Sequence, residues 1–190
     1  MARVRWTRRE TMGLDTICFN RYLKSMSDGL LRDLKQTKPF AHERIAVLLS
    51  LLRTGDLMSR PLEELLRPAE LSHTTYNVLR ILRGAGATGL PCREIGARLV
   101  TREPDVTRLL DRLERRGLLT RSRDAVDRRV VTIRISDAGM TLLDDLDMDR
   151  RGYDALAPFF VGLTQADITT LLRLLDRLRE VEESATRNVP

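Results

Sequence analysis

Apolar residues recur at helical spacing along most of this chain, and only one short interval shows the spacing of strands. Leucine, isoleucine and valine return every three or four residues before residue 117 and again after residue 136, as they do on one face of an α-helix. Between 118 and 135 the apolar residues fall into two short runs, the second of them rich in β-branched residues alternating with polar ones. The pattern predicts a mainly α fold with a small β-hairpin.

Prolines, a capping serine and a glycine-rich run divide the first half of the chain into helices. Pro39 interrupts a short helix that starts near residue 27, Pro61 interrupts or bends the next helix, and Pro68 ends it. Ser72 can cap the helix that follows. The run 84–89 closes that helix, because glycine tolerates the left-handed backbone found at helix ends. The sequence therefore predicts three helices before residue 90.

Two short helices and a hairpin follow in direct succession. The first helix spans 92 to about 100, and the second begins at Pro104 and is stopped by Gly117. Strands are predicted over 118–121 and 130–135, joined by a charged, polar turn. Helix, turn, helix and hairpin is the order of elements in a winged helix-turn-helix, in which the second helix enters the major groove of DNA.

Two longer helices are predicted at the C-terminal end. Ser136 can cap one helix that runs to about 156 and is ended by Pro158. Thr164 and Asp167 have the spacing of a capping box and begin the final helix. The leucine faces of this helix and of the helix at 41–58 predict dimerisation surfaces, although packing within one chain would also account for part of them.

The predicted elements divide the chain into four segments. Residues 1–26 are predicted to be a disordered or non-native extension, the alternative being a basic arm on DNA phosphates. Residues 27–70 are predicted to be N-terminal dimerisation helices. The winged helix-turn-helix is predicted over 71–136, and C-terminal dimerisation helices over 137–190.

Charge distribution favours a polyanionic partner for part of the chain. The net charge is +6, and basic residues outnumber acidic ones in 1–40 and 91–136 but not in 137–190. Because no long uncharged apolar run and no secretion signal is present, we expect a cytoplasmic protein that does not enter membranes. The two cysteines are far apart and the two histidines isolated, so we expect no metal, no cofactor and no enzymatic activity.

The helix pair and hairpin contain the candidate DNA-binding residues. Arg108 is the best candidate for a bidentate contact with guanine, and Thr107 for a phosphate or a thymine methyl group. Arg123, Arg128 and Arg129 of the hairpin can reach phosphates or a narrow minor groove. Arg115, Arg116 and Arg121 would add phosphate contacts, which makes six such arginines in each chain. The principal predicted site residues are Arg102, Asp105, Thr107, Arg108, Arg112, Arg121, Arg123, Asp127, Arg128 and Arg129.

Four stretches of this region together resemble the MarR family of bacterial regulators. They are 76–82, ahead of the helix pair; 107–119, for the reading helix and first wing strand; 127–133, with the D-x-R wing signature; and 136–139, at the entry to the long helix. The resemblance covers about residues 41 to 183. It implies an interlocked homodimer that binds a palindromic operator in double-stranded DNA, usually as a repressor. It also implies release by a small aromatic or phenolic effector.

The same resemblance implies particular roles at the wing. Asp127 would orient a neighbouring arginine, and Arg129 would enter the minor groove. The tip lacks the glycine or proline usual in the family.

Two other functions stay open at this stage. A winged helix can serve as a protein-interaction module, for which the acidic residues Asp105 and Asp111 on the reading helix leave room. Cys92, at a helix start beside Arg93, could act as a thiol-based redox sensor, because both features lower the pKa of a thiol. The alternative for Cys92 is a small, half-buried packing residue.

Overall fold

The computed structural model describes residues 29–38, 40–101, 103–123 and 131–187, with side chains described as far as residue 180. The predicted N-terminal extension, Arg102 and the hairpin tip with Asp127, Arg128 and Arg129 lie outside these residues. The chain divides into two compact units, Met1–Leu57 and Met58–Pro190. The four segments predicted above stay a prediction.

The first unit contains a short helix and most of a long one. Residues 29–33 of helix α1 are described, and they bury Leu30 and Leu31. Helix α2 spans Glu43–Leu66 and runs through Pro61 without a break. The prediction that Pro61 interrupts the helix is therefore wrong. A long helix can lose the hydrogen bond of one proline and continue, since the turns on either side keep theirs.

The second unit builds its core from helices packed on a small sheet. Helix α3 spans His73–Ala85, α4 spans Cys92–Ala97 and α5 spans Val106–Arg115. Strands β1 (Leu90–Pro91), β2 (Leu119–Arg123) and β3 (Val131–Ile135) form an antiparallel sheet in the order β1-β3-β2. Leucines dominate the shared core, whose fully buried members include Leu66, Val78, Leu79, Leu82, Ile95, Leu110, Leu113, Leu119 and Ile133.

The sheet has one strand more than the predicted hairpin. Leu90 pairs with Ile133, and Pro91 with Thr132. A strand of two residues is too short to show a period in the sequence, so its pairing arises only when the chain folds back. Gly89 makes this approach possible, because its φ is +67° and a Cβ there would lie 2.6 Å from the carbonyl oxygen of Ile133.

Helix starts agree with the capping residues predicted from the sequence. The Ser72 side chain accepts from the backbone N–H of Thr75, and the Thr75 hydroxyl accepts from the N–H of Ser72, which completes a capping box. Thr164 and Asp167 form the same reciprocal pair before helix α8, Gln165–Arg187. The hydrogen bonds from Thr164 hold the pKa of Asp167 below its usual value.

The long helix predicted after Ser136 is two helices. Ser136 caps α6 (Asp137–Leu146) as predicted, but Asp147 adopts a left-handed conformation with φ 43° and ψ 45° and separates α6 from α7 (Met148–Phe160). Aspartate tolerates this conformation better than most residues. Pro158 lies inside α7 and does not end it. The apolar spacing continues through both helices, so it did not reveal the break.

No single helix among the described residues is long and apolar enough to cross a membrane. Two consecutive helical segments, Asp137–Phe160 and Gln165–Glu180, are together long and apolar enough by length and composition alone. They are bent by 100° relative to each other.

Candidate nucleic-acid interface

Helices α4 and α5 form a tightly packed pair. A Cβ added to Gly96 of α4 would lie 3.3 Å from Val106 of α5, so the two helices approach closely at this point. After α4 the backbone N–H of Val100 donates to Asn77 Oδ1 of α3 at 3.0 Å. This bond ties the turn between the pair to the helix behind it. Asn77 was not predicted from the sequence to have this role, since a polar residue on a helix does not reveal its distant partner.

Helix α5 has a buried apolar side and an exposed polar side. Leu109, Leu110 and Leu113 are buried, whereas Thr107 and Arg112 are exposed. Asp105 is the N-cap, and its carboxylate accepts from the backbone N–H of Arg108 at 3.0 Å. The helix pair therefore presents the start of α5 to solvent, as a reading helix requires.

Arg108, the predicted guanine contact, has a strongly exposed side chain. Its side chain is 84% exposed, and its Nε lies 3.4 Å from Oδ2 of Asp105. An ion pair this exposed is weak, so the guanidinium group can leave Asp105 for another partner. The Asp105 carboxylate thus contacts both the backbone N–H and the guanidinium group of Arg108.

Arg121 is held by two carboxylates of α5. Its Nη1 lies 2.5 Å from Asp111 Oδ1 and 2.9 Å from Glu114 Oε2. The Arg121 side chain is only 25% exposed, in contrast to that of Arg108. The sequence interpretation of Arg121 as a phosphate contact did not foresee these partners. The phosphate contact stays a prediction, and in the structure the guanidinium group instead forms ion pairs with Asp111 and Glu114.

Arg116 is likewise engaged within the protein. Its guanidinium group donates to the carbonyl oxygens of Ala69 and Glu70 at 2.7 and 2.8 Å. From the sequence it was interpreted as an additional phosphate contact. The bonds instead tie the end of α5 to the turn between α2 and α3.

The wing is a regular antiparallel hairpin as far as it is described. Leu119 pairs with Ile135, and Arg123 with Val131, at the two ends of the β2–β3 ladder. Arg123 is exposed and lies at the end nearest the tip. Nε of Arg134 donates to the carbonyl oxygen of Ala87 at 2.7 Å, which fastens β3 to the turn after α3.

Cys92 is a half-buried thiol next to the reading helix. Its Sγ lies 4.0 Å from Thr107 Oγ1. In the part of the chain that the structure describes, no group of three His, Cys, Asp or Glu side chains could hold a metal ion. The redox role of Cys92 stays a prediction.

A cleft of about 510 Å³ lies between the end of α2, the start of α3 and the outer end of α5. Three arginines and two glutamates contribute to its wall together with the N-cap serine of α3. The lining residues are Glu63, Arg67, Glu70, Leu71, Ser72, Thr75, Arg112, Leu113 and Arg116.

A close helix pair followed at once by an antiparallel hairpin defines the second unit as a winged helix-turn-helix. A sequence model of the MarR family matches residues 71–131, which cover α3 to the start of β3. The transcriptional regulator PecS of Dickeya dadantii is 30% identical over 73% of this chain and 82% of its own length. The chain belongs to the MarR family. The predicted fold class and family are confirmed, and this family consists of transcriptional regulators, not enzymes.

Other relatives agree with this assignment. TtmR of Methylorubrum extorquens is 33% identical over 65% of this chain, but the match spans only 59% of TtmR. The MarR transcription factor of Planctomyces limnophilus is 35% identical, with a TM-score of 0.52 over 77% of this chain and 99% of its own.

Two solved structures of similar fold contain a bound partner. CouR of Rhodococcus jostii, bound to p-coumaroyl-CoA, is 29% identical, with a TM-score of 0.57 over 71% of this chain and 90% of its own. The MepR–DNA complex of S. aureus has a TM-score of 0.60 over 75% and 98% of the two chains. Its identity of 20% makes it a likeness of fold alone.

Proposed function

We propose that this chain regulates transcription in the cytoplasm by binding double-stranded DNA, with α5 in the major groove and the wing on the adjacent backbone. One observation supports this most strongly: Thr107, Arg108 and Arg112 are exposed along α5 while its leucines are buried. A helix of this kind fits the major groove. MepR, which shares the fold, was solved with DNA. Binding of a labelled random-sequence duplex, measured at several salt concentrations, tests the proposal.

We expect Arg108→Ala to relax sequence preference. If Arg108 makes a bidentate contact with guanine, its loss should lower discrimination by about 1–3 kcal/mol at one position in each half-site. Arg108→Lys should lose most of the same discrimination, since a lysine keeps the charge but not the planar fork. Selection of bound fragments from a genomic library, followed by sequencing, measures the preference.

Arg151→Ala is the matched control, because Arg151 is an exposed arginine of α7 outside the predicted site. It should leave the selected motif unchanged. If Arg108→Ala also left the motif unchanged, α5 would not read the bases through Arg108.

We further propose that the chain acts as a homodimer on a palindromic operator. Helix α8 exposes Leu171, Leu172, Leu174 and Leu178, each of them 44% or more exposed. In α2, Ile45, Val47, Leu48, Leu51 and Leu52 are exposed to a similar extent. Faces of this size on a single chain are typical of a surface that a partner covers. A symmetric pair would place two reading helices about one helical turn of DNA apart.

Replacing Leu172 by glutamate should weaken this dimer. A charge placed in an apolar interface remains without a partner, so we expect the dissociation constant to rise by roughly two orders of magnitude or more. Analytical ultracentrifugation over a range of protein concentrations measures it. Thr170→Glu, at an exposed polar position of the same helix, is the control. A wild-type chain that is monomeric at micromolar concentrations would refute the homodimer.

We also propose that the protein is a repressor and that a small aromatic or phenolic molecule releases it from DNA. CouR, which has a similar fold, was solved with p-coumaroyl-CoA. The arginine-lined cleft beside α5 is one place where an acidic aromatic compound could bind near the reading helix. Titration of the protein–DNA complex with a panel of phenolic acids tests release, and a reporter downstream of the selected operator tests the sign of regulation.

The alternatives from the sequence make different predictions. A protein-interaction module would show no salt-sensitive affinity for any duplex. A thiol sensor would lose DNA binding on treatment with peroxide, and Cys92→Ser would abolish that response.

A further inference from the structure

The only cross-element cluster in which one described arginine contacts two carboxylates of the reading helix is centred on Arg121. Asp111 and Glu114 are three residues apart on α5 and so project from one side of it. Arg121 lies in the middle of β2, where its backbone pairs with Ile133. A single nitrogen, Nη1, reaches both carboxylates, at 2.5 and 2.9 Å. We call Asp111, Glu114 and Arg121 the clamp.

The clamp places the positive charge of Arg121 beside two carboxylates on α5, the helix proposed to enter the major groove. The side chains of Asp111 and Glu114 are 45% and 40% exposed, so without a partner they would oppose the approach of a phosphate backbone. Like charges that are brought together at an interface weaken binding strongly. Arg121 offsets one of these two negative charges and holds both side chains in one position.

The clamp also connects the two parts that would grip DNA. Helix α5 supplies the predicted base contacts, whereas β2 is the first strand of the wing. Because the Arg121 side chain is largely buried against α5, a rotation of the wing away from the helix would have to break both ion pairs. Phosphate contact through Nη1 of Arg121 would require the same loss.

We infer that Arg121 is a positioning residue and not a DNA ligand: it suppresses the repulsion between α5 and DNA and fixes the wing relative to the reading helix. This inference rests on the proposed DNA binding. It replaces the phosphate contact predicted for Arg121 from the sequence.

The decisive comparison is between Arg121→Met and the double variant Asp111→Asn/Arg121→Met. The double variant removes one positive and one negative charge, so the net charge of the full-length protein equals that of the wild type. Arg121→Met leaves two carboxylates without a cation and should weaken binding to a random-sequence duplex by about tenfold or more. We expect the double variant to recover at least half of that loss on a logarithmic scale.

The salt dependence separates positioning from contact. Loss of one phosphate contact in each subunit of a dimer reduces the slope of log K against log salt by about 1.8, whereas loss of a positioning residue in a charge-matched variant leaves the slope unchanged. The inference is overturned if the double variant binds no better than Arg121→Met, or if its slope falls by that amount. It is equally overturned if Arg121→Met binds as tightly as the wild type.

Controls keep the outcome attributable to the clamp. Arg80→Met removes an arginine that donates to Asp149 at 2.8 Å between α3 and α7, and it should change affinity little. Thermal unfolding checks that each variant folds. If Arg121→Met does not fold, the same comparison is made with Arg121→Gln, which retains hydrogen-bond donors. Absence of duplex binding by the wild type would refute the proposed function itself, whereas binding without rescue refutes only the role of Arg121.

Discussion

Raising the salt concentration from about 50 to about 200 mM should weaken binding to a random-sequence duplex by about four orders of magnitude. Six arginines of each subunit are predicted from the sequence to bind phosphates. Arg116 and Arg121 are bound by other elements of the protein in the structure, so we count the remaining four predicted contacts, Arg115, Arg123, Arg128 and Arg129. Nε of Arg115 donates within its own helix, to the carbonyl oxygen of Asp111 at 3.3 Å. A dimer would then make about eight contacts, and each released counterion contributes about 0.9 to the slope, giving a slope of about −7.

This measurement also reports on the assembly that binds. A single subunit with about four contacts would give a slope near −3.6 and a loss of about two orders of magnitude over the same range. Arg123→Met in each subunit of a dimer should reduce the steeper slope by about two. Fluorescence anisotropy of a labelled duplex gives the affinity at each salt concentration. A slope near zero would contradict the proposed function. A slope between zero and about −4 would contradict binding as a dimer.

We expect Gly139→Ala to destabilise the protein by about 3 kcal/mol, a large cost for the addition of one methyl group. Gly139 lies in the first turn of α6. A Cβ at this position would lie 2.3 Å from the carbonyl oxygen of Leu118 and 2.7 Å from Cγ1 of Ile135. The oxygen belongs to backbone that also accepts from the N–H of Ser136 at 3.2 Å. The carbonyl group of Leu118 cannot move away without weakening this hydrogen bond, which joins the start of β2 to the start of α6.

Gly84→Ala is the control for this prediction. Gly84 lies in helix α3, and a Cβ there would meet nothing within 4 Å. Alanine should therefore stabilise the helix by about 0.5–1 kcal/mol. Urea unfolding followed by circular dichroism measures both variants. If Gly139→Ala unfolded at the same urea concentration as the wild type, the close contact with Leu118 would not exist in solution.

The order of elements in the second unit could be predicted from local signals. Ser72, Ser136 and Thr164 all lie at helix starts, because capping depends on residues three positions away and is visible in the sequence. The change from helical to alternating spacing placed the hairpin. Periodicity did not show the left-handed Asp147, since apolar spacing is the same on both sides of that residue.

Side-chain partners far apart in the chain were beyond the reach of such signals. Arg108, Arg116 and Arg121 were all predicted from the sequence to contact DNA. In the folded chain they have different environments. Arg116 donates to the carbonyl oxygens of Ala69 and Glu70, Arg121 binds two carboxylates, and Arg108 remains exposed. Asn77 and its bond to Val100 had no local signature at all.

The amino-acid sequence alone was sufficient to predict the class of fold and the family, and it supports a proposal for the segment that reads DNA. These depend on spacing, capping and turn residues, which act over a few positions. Tertiary structure decided which charged groups face solvent, which are consumed by internal bonds, and why Gly139 must lack a side chain. Those properties arise from contacts between residues brought together by folding, such as Gly139 with Leu118, and no local pattern encodes such a distance.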